Sequence, residues 1–154
     1  VGIILREKDL SEAEYEELAS QVLSICRKKG TQCILHSWPE VARRLECPGI
    51  HLPFETFCRE AKSLRDLPKK GVSIHSVEEA VKAQELGASY VTAGHIFPTD
   101  CKRGVPARGI AFLKEVCARV NIPVYAIGGI TPENTAEVCE AGAAGYCVMS
   151  GVMK

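Results

Sequence analysis

Short apolar runs alternate with amphipathic stretches along the chain. Val1–Arg6 reads as a strand, and Ser11 with Glu14 is a capping-box signature opening a periodic segment that runs to Lys29 and stops at Gly30. Cys33–His36 is a second apolar run, followed by a short helix from about Pro39 to Leu45. Gly49–Leu52 reads as a third strand and Glu55–Leu64 as a helix. Gly71–His75 is a fourth strand, after which Ser76 and Glu79 cap a helix that stops at Gly87. Tyr90–His95 is the fifth strand; a loop then runs to about Arg108 and a helix to Val120. Ile122–Ile127 is the sixth strand, Thr131-Pro132 opens a helix ending near Gly142, and Tyr146–Ser150 is the seventh strand.

Strict βα alternation predicts a parallel sheet flanked by helices, either doubly wound or a (β/α)8 barrel. A doubly wound nucleotide-binding domain opens with GxGxxG after its first strand, and this sequence has none. A complete barrel takes about 250 residues, about 200 at the lean end. With 154 residues, seven strands and abrupt ends, the expectation is one domain over 1–154, a (β/α)8 TIM barrel lacking its first βα unit and its last helix.

Composition narrows the function classes. Apolar residues make up 46% of the chain and charged residues 25%, as in ordinary globular proteins. Nineteen Lys plus Arg balance nineteen Asp plus Glu, which argues against a nucleic-acid or anionic-membrane partner. No apolar run approaches the roughly 18–20 residues of a membrane span. The eight cysteines include no CxxC pair, and most fall inside helix or strand patterns, where Cys packs as a small hydrophobe. A reduced, cytoplasmic protein is expected, a homo-oligomer being compatible with the sequence. Cys101, in a polar loop, is the one candidate reactive thiol.

In both architectures the active site lies at the carboxyl ends of the strands. The first strand delivers Arg6 and Lys8, two cations suited to phosphate or carboxylate. The four histidines, His36, His51, His75 and His95, fall at the ends of four consecutive strands. A Zn site is one reading of such a cluster, but none has a carboxylate or thiol at usual ligand spacing. His51, between Ile50 and Leu52, reads as packed, whereas His75, just before a helix cap, is the best general acid/base candidate. Gly128-Gly129 after the sixth strand and Ser150-Gly151 after the seventh form a candidate phosphate seat, with a helix dipole from near Thr131. The 97–104 loop adds Thr99 as a hydroxyl donor and Lys102 as a cation over the ligand.

Leu5-Arg-Glu-Lys-Asp-Leu, Gly71-Val-Ser-Ile-His-Ser, Ile96-Phe-Pro-Thr and Ala126-Ile-Gly-Gly-Ile-Thr-Pro-Glu-Asn together resemble the thiamine phosphate synthase/TenI superfamily, in order through essentially the whole chain. The resemblance implies a barrel whose small-molecule ligand is a thiazole phosphate, with Ser73 joining the substrate-binding set. The synthases of this family join a pyrimidine pyrophosphate to thiazole phosphate with Mg²⁺ held by two aspartates. The matching positions here are Ser37 and Thr56, and neither supplies the anionic oxygen that Mg²⁺ favours. Cys101 and Ile4 also depart from the synthase pattern. These departures resemble the thiazole tautomerase branch, TenI. That likeness implies an isomerase that aromatises a 2-carboxy-thiazole phosphate by a proton shift through His75, with no metal or other cofactor. Mg²⁺-dependent synthesis of thiamine phosphate and non-catalytic binding of thiazole phosphate stand as alternatives.

Overall fold

The computed structural model describes residues 2–149, so Ser150 and Gly151 lie outside the described residues. The fold is α/β with parallel strands, and two compact units meet in sequence at Gly71 and Val72. In the first unit, β1 (Gly2–Leu5), β2 (Gln32–His36) and β3 (Gly49–Pro53) run parallel in that order. They are joined by α1 (Glu12–Lys29) and α2 (Pro39–Arg44), and α3 (Phe54–Glu60) leads toward β4 (Lys69–Ile74). The register sets Leu35 opposite Leu5 and Ile50, and His36 opposite His51. Leu35, Ile50, Leu52, Phe57 and Leu64 form a fully buried core.

α1 forms where the sequence pattern places it. Ser11 Oγ accepts from Glu14 N, while the Glu14 carboxylate accepts from Ser11 N at 2.9 Å; Gly30 closes the other end at φ 64°. Its buried positions, Tyr15, Ala19, Leu23 and Cys26, lie on one helical stripe. Tyr15 on that stripe is a strut that patterning treats as core alone. Its hydroxyl donates to Leu5 O at 2.7 Å and accepts from His36 N at 3.0 Å, fastening the carboxyl ends of β1 and β2 to α1. Tyr15→Phe keeps the ring but leaves both backbone groups without this partner, so a loss of ~1–3 kcal/mol is expected in urea unfolding. An unchanged midpoint and slope would show that water replaces the hydroxyl.

The second unit holds β4 from Val72 onward, then β5 (Tyr90–Gly94), β6 (Val124–Ile127) and β7 (Gly145–Cys147) in that order, with α4 (Val77–Glu85), α5 (Gly109–Arg119) and α6 (Thr135–Glu140). β5–β6 and β6–β7 are parallel, with Ala126 opposite Ala93 and Tyr146. Val72, Ile74, Val91, Ala93, Leu113, Val116 and Val138 are fully buried.

The boundaries that differ most from the sequence reading are those of α3, α6 and β7. α3 ends at Glu60 rather than Leu64, because Ser63 turns back and donates to Glu60 O from both its N–H and its hydroxyl. α6 starts at Thr135, not Thr131, and β7 covers Gly145–Cys147 instead of Tyr146–Ser150. Among the described residues, no helix is long and apolar enough to cross a membrane. Cys26, Cys33 and Cys47 are free and buried; burial pushes the Cys33 thiol up to about 12, the behaviour of a packed thiol rather than a nucleophile.

Candidate functional site

In the first unit the strand ends carry Arg6, Lys8, His36 and Ser37, with His51 beside His36. His36 ends β2, whereas His51 sits in the middle of β3, not at its end. The two rings stack at 5.5 Å between centroids, 28° apart. Burial lowers His36 to about 4, with the charges of Arg6 and Lys8 adding to the shift. Burial lowers His51 to about 3, with His36 and Arg6 contributing. Both imidazoles are therefore neutral at pH 7, and the positive charge of this end belongs to the exposed Arg6 and Lys8. Ser37 holds φ 70°, its N–H donates to His51 O at 3.1 Å, and its hydroxyl lies 2.5 Å from His36 Nδ1.

In the second unit, His75 follows β4 and is exposed. Its N–H donates to Glu79 Oε2 at 2.5 Å, and Nδ1 lies 2.9 Å from Gly94 O. A carbonyl oxygen only accepts, so Nδ1 is the donor in this contact. Ser73 Oγ accepts from Thr92 Oγ1 at 3.3 Å, joining two neighbouring strands just below this end. His95, 9% exposed, follows β5; its Nε2 lies 3.2 Å from Val105 O and serves the loop rather than the site.

The Gly128-Gly129 turn is the best-defined feature of this unit. A Cβ on Gly128, at φ 97°, would lie 2.3 Å from His95 Cβ; one on Gly129, at φ 66°, would lie 2.5 Å from Pro98 O. The 95–99 segment is zipped to the end of β6, with Ile96 N donating to Ile127 O and Phe97 N to Gly128 O, both at 3.0 Å. Only glycine fits so close an approach at positive φ. The N–H groups of Gly129 and Ile130 have no partner among the described residues. Thr99 is half-buried beside this segment and precedes a short 3-10 turn (Asp100–Lys102), while Lys102 is exposed.

The expected contribution of a helix dipole at Thr131 is corrected: α6 begins at Thr135 and has six residues, so any anion here is held by loop N–H groups. Asn134, quoted in the sequence motif but given no role there, ties this loop together; its spacing three residues after Thr131 was the available signal. Mg²⁺ fails the test of the donor set. Ser37 and Thr56 offer neutral hydroxyls, Ser37's already engaged with His36, and no group of three or more His, Cys, Asp or Glu among the described residues is placed to hold a metal. The Cys101 side chain also lies outside the described residues.

Comparison with known proteins decides the family. The family model described as thiamine monophosphate synthase matches residues 2–152. The thiamine-phosphate synthase of Chlorobium luteolum is 37% identical over 155 residues, covering 99% of this chain and 73% of that protein. The thiamine-phosphate synthase of Pyrococcus abyssi is 36% identical, covering 99% and 74%. Among solved structures, the thiamine phosphate pyrophosphorylase of Pyrococcus furiosus superposes with a TM-score of 0.85 at 31% identity, covering 99% of this chain and 74% of that one.

These likenesses overturn the expectation of a TenI thiazole tautomerase and an isomerase, because the matching relatives are synthases, which are transferases. The physical reason lies in what the departures from the synthase pattern do chemically. Exchanging a carboxylate for a hydroxyl at Ser37 or Thr56 removes a cation ligand but creates no acid or base. His75 is held at the strand end by Gly94 O and Glu79. The chain belongs to the thiamine monophosphate synthase family.

Proposed function

We propose that this chain acts as a thiamine-phosphate synthase, a transferase that joins a pyrimidine carrying a pyrophosphate to a thiazole phosphate. The observation that supports this most is likeness, over nearly the whole of this chain, to thiamine-phosphate synthases at 33–37% identity. In the reaction, a bond forms between the thiazole nitrogen and the pyrimidine methylene carbon while pyrophosphate leaves with the electron pair. In the first unit, Arg6 and Lys8 are two exposed cations suited to a phosphate-bearing ligand. The Gly129 and Ile130 N–H groups, with Thr99 beside them, receive the thiazole phosphate; Ser73 and His75 face the same ligand, and Lys102 caps it from the loop. Ser150 and Gly151 complete the phosphate set in this reading. No step is assigned to Mg²⁺, since Ser37 and Thr56 offer it no anionic oxygen. The same reading assigns the seven strands to a (β/α)8 barrel whose first βα unit and last helix correspond to the additional length of the relatives.

A second reading, a protein that binds thiazole phosphate without turning it over, is favoured by one observation: the neutral donor set at Ser37 and Thr56. One experiment separates the two. The purified chain is incubated with both substrates, with Mg²⁺ and separately with a chelator, and thiamine phosphate and released pyrophosphate are quantified. Equal amounts of both products above the uncatalysed rate are expected. Binding of thiazole phosphate by folded protein with no product in either arm assigns the second reading instead.

A further inference from the structure

We propose that Asn134 is a positioning residue for phosphate: its side chain sets the conformation of the 128–131 loop so that the Gly129 and Ile130 N–H groups are left for the anion. The inference rests on the phosphate reading of this loop given above. Asn134 stands at the N-cap of α6, where an Asn side chain ordinarily accepts from the helix's first N–H groups, yet it makes no such bond. It turns back instead. Oδ1 accepts from Thr131 N and Nδ2 donates to Gly129 O, each at 2.9 Å, and its own N–H donates to Thr131 O at 3.1 Å.

The amide thus occupies one acceptor and one donor of the loop, on either side of Ile130. Phe97 N takes the Gly128 carbonyl in the same way. Of the backbone N–H groups at 129, 130 and 131, those of Gly129 and Ile130 remain without a partner among the described residues. A loop that spends a helix cap to tie its own carbonyl and leaves consecutive N–H groups over is arranged for an acceptor from outside. Only an amide does both jobs here, since a carboxylate cannot donate to Gly129 O and a hydroxyl cannot span both atoms. Asn134 touches no substrate in this scheme; it acts through the backbone.

The test is calorimetric binding to the full chain of hydroxyethylthiazole phosphate and, as control, the unphosphorylated hydroxyethylthiazole. Asn134→Ala is expected to weaken the phosphate ligand by about tenfold or more while leaving the alcohol unchanged. Asn134→Asp keeps the acceptor for Thr131 N but loses the donor to Gly129 O, and is expected to show the same selective loss. If the Ala variant fails to fold by circular dichroism, the Asp variant decides alone. The proposal is overturned if a folded variant binds the phosphate as tightly as the parent, or loses phosphate and alcohol in equal measure. It is equally overturned if the parent does not prefer phosphate over alcohol. Product formation is measured separately: absence of turnover with phosphate preference intact strikes the synthase assignment and leaves the role of Asn134 standing.

Discussion

Gly128→Ala is expected to be the most damaging single methyl that can be added to the second unit. Two costs combine. Gly128 holds φ 97°, a region that residues with a Cβ rarely adopt, which costs of order ~1–3 kcal/mol. The new methyl would also lie 2.3 Å from His95 Cβ and 2.8 Å from His95 Cα, and overpacking of this kind costs ~1–3 kcal/mol or more. The obstacle is the start of the loop rather than the far end of a flexible side chain. His95 is held there by Val105 O through its ring and by Arg108 N through its carbonyl. At roughly 2–4 °C per kcal/mol for a chain of this size, the melting temperature should fall by about 5–20 °C. Gly87→Ala is the control, because Gly87 has a similar φ of 88° and nothing within 4 Å of the added carbon. If the two variants melt together, the close approach at Gly128 carries no cost and the geometry of the phosphate seat needs another origin.

Acid should destabilise the first unit well before its carboxylates titrate. Burial holds His36 at about 4 and His51 at about 3, both below the ordinary histidine value of 6.5. As pH falls, the unfolded chain therefore takes up protons first. Stability is fully present above pH 6.5 and is lost between 6.5 and 4 for His36, with His51 extending the loss toward 3. By pH 5 the His36 share amounts to ~2 kcal/mol, and His51 adds in the same direction. Glu14, Glu16 and Asp66 also titrate below their ordinary values, but they act only beneath about 4.5. The slope between pH 6.5 and 5 is thus a histidine signature. Urea unfolding at pH 7 and pH 5 should differ in midpoint, and His36→Asn should flatten the difference. A flat profile in the parent would mean that water reaches the stacked pair.

The frame of strands and helices was legible because each signal was local and physical. Ser11 with Glu14, Gly30, and Ser76 with Glu79 mark helix ends through hydrogen bonds made within a few residues, and the structure forms them. Boundaries slipped where a side chain diverted the backbone. Asn134 draws Thr131 and Gly129 into a loop, moving the start of α6 four residues on, although Pro132 is a sound helix opener. Leu64 is buried as its apolar character implies, yet it lies in turns beyond α3. Hydrophobic pattern reports burial, not whether the buried turn is helical.

The candidate site was legible as strand ends and less so as chemistry. Gly128 and Gly129 announced a close approach, but the partner of that approach, the 95–98 segment, is invisible to local spacing. Tyr15 is a polar strut on an apolar stripe, and nothing in an amphipathic pattern says where a hydroxyl will reach. His51 and His36 read as neighbours in a series, whereas pairing register makes them one stacked, uncharged pair. The choice between synthase and tautomerase depended on what had been lost at Ser37 and Thr56, and loss of a ligand carries no information about what replaces it.

The loop after β5 has a consequence for how this scaffold tolerates change. Its two feet are tied together, Arg108 N to His95 O and Gly109 N to Ile96 O, both at 3.0 Å, and its near foot is sewn to β6. The exposed stretch from Lys102 to Pro106 therefore hangs from a closed neck. Closing such a neck costs little more for a longer loop than for a shorter one, since the entropy grows only as the logarithm of length. Insertions, or new chain ends made by circular permutation, belong beyond Lys102, at Arg103 and Gly104. There the chain can be rewritten while the glycine turn beneath it stays in register.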